Sequence, residues 1–233
     1  MRIALFLSAL LFVAVHVSAC QDQTPATDNR DSLAQVQAEA PAGTVAVQEA
    51  FLTPRDTSDN VDSPAVWHGP KNQHWLLATA KEGDVIRVFD AATGDSLHRV
   101  GGSGTELGRM DRPNGIAVVD DLMLVVERNN RRVQVFALPS FEPLGAFGQE
   151  QLRRPYGITA FSHGEAPDDG QRAGRDTSTR AQGYQLYITD AYEEPDESVP
   201  PLRELDERVK HYRLFVSGDS LRTEHVRSFG DTT

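Results

Sequence analysis

The densest group of chemically capable side chains is acidic: Glu193-Glu194-Pro195-Asp196-Glu197 and Glu204-Leu205-Asp206-Glu207 lie in one stretch. Carboxylates this close either collect a divalent cation or form a solvated acidic loop, and spacing alone leaves both open. Gly101-Gly102-Ser103-Gly104 follows an apolar run, but no helical pattern opens after it, so it reads as a turn between units and not as a phosphate loop. The seven histidines are scattered, with no His-Glu-x-x-His and no paired spacing. His68 and His74 flank Trp67 and Trp75 and read as sheet-edge residues. Cys20 is the only cysteine, which excludes an intrachain disulfide. Thirty-four acidic side chains against 23 basic ones leave a net charge of −11. That balance argues against nucleic acid and against an anionic membrane surface, and it suits divalent cations or a salt-adapted surface.

The elements that must position such groups are short strands in a repeating block. Arg112-Pro113-Asn114-Gly115-Ile116 recurs 42 residues later as Arg154-Pro155-Tyr156-Gly157-Ile158, and a degenerate first copy begins at Ser63-Pro64-Ala65-Val66. Each copy leads into an apolar run: Trp75 to Thr79, Leu122 to Val126 and Gln185 to Thr189. An alternating strand follows each time, at Val85 to Phe89, Arg132 to Phe136 and Val209 to Phe215, and then a last strand ending on Gly101, Gly148 or Gly230. Turn residues separate the runs at Asp90 to Asp95, Asp120-Asp121 and Leu138-Pro139-Ser140. No helical period persists after residue 20. Several short strands per unit, at a spacing of about 40–50 residues, predict an all-β chain of β-propeller blades. About three blades of a six-bladed ring are expected. Since typical propellers have ~4–8 blades, the chain reads as a fragment or truncated frame rather than as a half-ring that pairs with itself.

The N-terminus reads differently. Arg2, the apolar Ile3 to Val15 and the small residues Val17-Ser18-Ala19 make residues 1–19 an export signal. A cysteine directly after them resembles the bacterial lipobox, which implies lipidation at Cys20, attachment to the cell envelope and exposure to the periplasm or exterior; an ordinary cleaved signal is the alternative. Residues 20–47 are rich in Ala, Gln, Thr, Asp and Pro and read as a flexible tether, with the propeller domain over 48–233. The third unit is enlarged. Gly157 to Leu186 spans 29 residues where Gly115 to Leu124 spans 9, so an inserted loop is expected between Ser162 and Gly183. A second elaboration runs from Tyr192 to Glu207.

Two families are similar to this pattern. The run from Pro113 to Phe136, with Arg128, Asn130 and Arg132-Val133-Gln134-Val135-Phe136, looks like an NHL repeat, a builder of six-bladed binding propellers. From about Ser58 onward the chain resembles the β-propeller phytases, calcium-dependent phosphatases of phytate. Asp62-Ser63-Pro64-Ala65-Val66-Trp67 resembles that family's Asp-Asp-Pro-Ala-Ile-Trp opening, and Thr79-Ala80-Lys81 its Thr-Asn-Lys. Pro113-Asn114-Gly115-Ile116 stands near its Asn-Asn-Val-Asp, Glu127-Arg128-Asn129 at its Asn-Arg-Ser, Pro155-Tyr156-Gly157-Ile158 at its Tyr-Gly, and Ile188-Thr189-Asp190 near its Val-Thr-Gly-Lys.

The resemblance implies a 3-phytase-like phosphomonoester hydrolase acting on phytate, or a similar phosphorylated small molecule, with calcium as cofactor. In that reading Lys81 and Arg128 contact phosphate, Tyr156 donates to it through its hydroxyl, and Asp62 and Asp190 are the metal-side residues. Plainer roles stay open: Lys81 as a solvated strand end, Arg128 paired with Glu127 or Asp121, Tyr156 packed in the channel wall, and Asp62 capping the turn before Pro64. The departures matter too. Ser63 replaces an acidic residue of the family, and Asp190-Ala191 stands where the family has a lysine. Each lost charged hydrogen bond weakens phytate binding by about 1–3 kcal/mol. The alternative is a non-catalytic NHL-like lipoprotein that binds a protein, peptide or glycan at its loop rim.

Overall fold

A computed structural model of the chain describes residues 43–45, 47–53, 56–165, 181–194, 196, 198 and 200–231. The signal segment, Cys20, most of the tether and the centre of the third-unit insertion lie outside the described residues. By its contacts the chain divides into Met1–Glu49 and Ala50–Thr233, and all that follows concerns the second unit.

That unit is all-β. β1 (Val61–His68), β2 (His74–Ala80), β3 (Val85–Asp90) and β4 (Ser96–Gly101) form one antiparallel sheet in chain order. β5 (Pro113–Val119), β6 (Leu122–Glu127), β7 (Arg132–Ala137) and β8 (Glu142–Phe147) form a second. A third comprises β9 (Pro155–Glu165), β10 (Gln182–Asp190), β11 (Val209–Ser217) and β12 (Ser220–Phe229). Short 3-10 turns at Pro70–Asn72 and Leu202–Glu204 are the helical pieces among the described residues. Two boundaries differ from expectation. The β9–β10 hairpin runs on into the insertion, with Gln182 paired to Glu165. β12, the last strand expected to end at Gly230, extends back to Ser220 as a mostly exposed outer strand whose polar residues carry little hydrophobic signal.

The strand period of two explains how the sheets pack. In β6 every residue is buried, and alternate residues serve different neighbours. Met123 and Val125 join Trp67, Trp75, Leu77, Ile86 and Val88 of the first sheet in one core. Leu122, Leu124 and Val126 join Leu186, Ile188, Tyr212 and Leu214 of the third in another. The middle sheet is therefore sandwiched, and the inner strands β1, β5 and β9 lie next to one another. Gly115 sets the last approach: a Cβ there would stand 2.6 Å from the Tyr156 carbonyl oxygen and 2.9 Å from Gly157 Cα.

The connections between sheets are anchored by carboxylates at the same strand position. Glu127, fully buried at the end of β6, accepts from the Asp111 backbone N–H (3.2 Å), Arg132 Nε (2.7 Å), Asn130 Nδ2 and Gln134 Nε2 (both 2.5 Å). Arg132 in turn donates to the carbonyls of Thr105, Glu106 and Arg109 at 2.5, 3.1 and 2.9 Å. Glu127, Asn130, Arg132 and Gln134 of the NHL-like run thus bind the incoming loop. Asp190, at the matching end of β10, accepts from the backbone N–H groups of Arg153, Arg154 and Tyr192 at 2.7, 2.8 and 3.1 Å.

Candidate functional site

Within each sheet the start of the inner strand, the end of the second strand and the turn into the third lie at one end, because antiparallel pairing opposes Val61 to Ala80, Pro113 to Glu127 and Pro155 to Asp190. All five expected phosphate and metal residues sit at this end. Lys81 follows β2, and its Nζ is 3.1 Å from Asp62 Oδ2 in an ion pair. The same Nζ lies 5.5 Å from the ring centroid of Tyr156, so the first and third sheets meet here across β5. Tyr156 is half exposed, with its ring under the lysine instead of packed in a wall. Asp62 also accepts from Ser63 Oγ at 3.3 Å. Lys81, Asp62 and Tyr156 are therefore brought together.

Arg128 belongs to a second group on the same rim. It is buried, and Nη2 lies 2.5 Å from Glu193 Oε2, a partner 65 residues away that neither Glu127 nor Asp121 anticipates. Around this pair is a cleft of about 410 Å³ lined by Arg128, Asn129, Arg131, Arg153, Arg154, Glu193 and Glu194. Arg154 Nη1 donates to Asn129 Oδ1 at 3.5 Å, and Arg153 stacks over Tyr192 at 4.9 Å from the ring centroid. Arg131 and Arg153 escape a reading of the sequence by motif, whereas Arg154 heads the third copy of the repeat, as Arg112 heads the second, and topology brings it to the rim.

Three carboxylates of the acidic stretch are held in ion pairs among the described residues. Glu193 pairs with Arg128, Glu204 with Arg153 (3.4 Å) and Glu207 with Lys210 (3.0 Å). Buried Lys210 also donates to Tyr192 Oη at 2.5 Å and Ser228 Oγ at 3.0 Å, which satisfies all three of its N–H groups. That ammonium holds the Glu207 carboxyl below its usual range.

The calcium expectation meets the donor set here. Calcium takes about 6–8 oxygens. Among the described residues no three His, Cys, Asp or Glu side chains converge on a metal position. Asp190 accepts from three backbone amides and Asp62 Oδ2 pairs with Lys81, so both carboxylates have protein partners in this structure. One further polar group stands out beside the rim. Asn114 in β5 is buried, and its carbonyl accepts from Thr79 Oγ1 at 2.7 Å, while its side-chain Oδ1 and Nδ2 have no partner among the described residues.

No family model matches this chain, and no curated protein matches it. Among solved structures it is similar to Kuenenia stuttgartiensis hydrazine synthase, at 9% identity and a TM-score of 0.34, over 78% of this chain and 70% of that one. A likeness so distant carries no functional argument.

Proposed function

We propose that the three sheets are consecutive blades of a β-propeller of the phytase-like kind, and that the rim at the start of its inner strands takes up a phosphorylated small molecule, with phytate as the type case. Sheets that follow one another in the chain, pack face on face and set their first strands side by side fit blade geometry. The observation that carries the ligand reading is the cleft: four arginines against two glutamates line one opening in a chain of net charge −11. A guanidinium offers a planar fork of donors matched to phosphate oxygens, which a scattered acidic surface does not supply. Lys81 and the Tyr156 hydroxyl extend the donors along the same rim.

Hydrolysis of the ester is the activity the resemblance adds. Asp62 and Asp190 are engaged with other groups, so no catalytic step is assigned to them, and recognition of phosphate is what the geometry supports. Lipidation at Cys20 would tether this rim to the cell envelope, with the anchor as the only membrane contact.

Calorimetric titration of the chain with phytate at low salt, without and with about 1 mM calcium, tests the reading alongside a phosphate-release assay. The expected result is saturable binding, weakened about tenfold or more by Arg154→Ala. Equal affinity in Arg154→Ala and Lys81→Ala would remove both residues from the site. A folded chain that ignores phytate leaves the rim to the NHL-like, non-catalytic alternative.

A further inference from the structure

At the opposite end of β1 from Asp62, two histidines face each other. His68 and His74 are directly opposed across the β1–β2 hairpin, and their Nδ1 atoms are 2.8 Å apart. The rings meet edge to face with centroids 4.9 Å apart. The hairpin fixes them: Gly69 N–H donates to the Gln73 carbonyl at 2.8 Å, and Lys71 and Asn72 take positive φ values of 55° and 61° to close the turn. A third residue lies on the other side of the ring: His74 Nε2 is 3.3 Å from Asn72 Oδ1, an arrangement suited to the tautomer with its proton on Nε2 and its Nδ1 lone pair toward His68.

We propose that His68 and His74 form a two-histidine site for a tetragonal divalent transition metal of the copper(II) or nickel(II) class, with solvent completing the coordination. The spacing, a hydrogen-bond distance in the metal-free pair, also suits that class. Two nitrogens each about 2.0 Å from one metal stand about 2.8 Å apart at the right angle of a tetragonal site, and about 3.3 Å apart at the tetrahedral angle zinc prefers. Asn72 supplies the outer hydrogen bond that metal-binding imidazoles characteristically make through their second nitrogen. The metal displaces the single proton shared between the two Nδ1 atoms, and that proton passes to solvent or to the exposed Nε2 of His68. The site is separate from the arginine cleft and does not depend on what the cleft binds.

The chain's two tryptophans, Trp67 and Trp75, adjoin these histidines in sequence, and their ring centroids lie 4.7 Å apart, so they report on a quenching metal. Titrating the full chain with copper(II) at about pH 7.4 is expected to quench their emission saturably at one equivalent, reversibly with a chelator. Binding should weaken as the pH is lowered, because protons compete with the metal for the ring nitrogens. His68→Ala and His74→Ala should each weaken binding at least about tenfold, Asn72→Ala by about tenfold or more, and His225→Ala not at all. Zinc should compete less well than copper beyond the general order of metal affinities. Quenching that never saturates, or that persists unchanged in both histidine variants, overturns the proposal.

Discussion

Arg128 shows how little a residue's sequence neighbours say about its partner. Glu127, next to it, is buried and taken up by Arg132, Gln134, Asn130 and the Asp111 amide, so Arg128 turns to Glu193. His211 makes the same point for titration. Its Nε2 lies 2.5 Å from Gln185 Oε1, and its ring stacks on Tyr187 with centroids 4.6 Å apart. Burial first, then Arg227, Arg213 and His225, hold its pKa below the ordinary histidine value. The unfolded chain titrates near ~6.5, so between that value and the lower folded one it binds more protons than the native state, and stability rises with pH. This contribution is complete above the unfolded value and is lost as pH falls through the folded one. Urea midpoints measured between about pH 7 and pH 5 should therefore fall less steeply in His211→Gln than in the parent chain. Parallel slopes would exonerate His211.

At the scale of elements, the inner strands are where small residues matter. Gly115→Ala would drive a methyl group into backbone of β9, which cannot step aside as a flexible side chain could. A cost of about 1–3 kcal/mol is expected by chemical denaturation, together with a change in the Tyr156 environment, since Tyr156 supplies the atom that is struck. An unshifted midpoint would mean that β5 and β9 are not so close. At the other end of the sheets the Asp120-Asp121 turn joins all three: Trp67 Nε1 donates to Asp121 Oδ1 at 2.9 Å, and Tyr184 Oη donates to Asp120 Oδ2 at 3.1 Å. The two aspartates read as a tight turn from sequence, and Asp120 does adopt the positive φ (49°) that such turns need. Their second task, receiving one donor from each flanking sheet, has no local signature.

For the Ala50–Thr233 unit as a whole, the two cores meet in one strand. Leu124 faces the third sheet and Val125 the first, so damage on either side reaches both through β6. Leu124→Ala should cost about 2–5 kcal/mol. Its unfolding should remain one transition, with tryptophan emission, which reports the first sheet, and far-ultraviolet dichroism, which reports all three, tracing the same curve. Separated curves would show that the sheets unfold independently. Much of this architecture was legible in the chain, because alternation with period two states which residues of a strand are buried, and the repeat states how many times the pattern recurs. The outer strand β12 and the hairpin extension beyond Ser162 were less legible, since exposed strands need no apolar alternation. The candidate site was legible only in part. Lys81, Asp62 and Tyr156 converge at the rim where the resemblance leads one to look, whereas Arg131, Arg153 and the His68–His74 pair carry no motif. Burial periodicity is written locally, residue by residue along each strand. The choice of carboxylate partner for Arg128 and Arg153 was decided only when segments distant in sequence were pressed together and their connecting loops found paths across the rim.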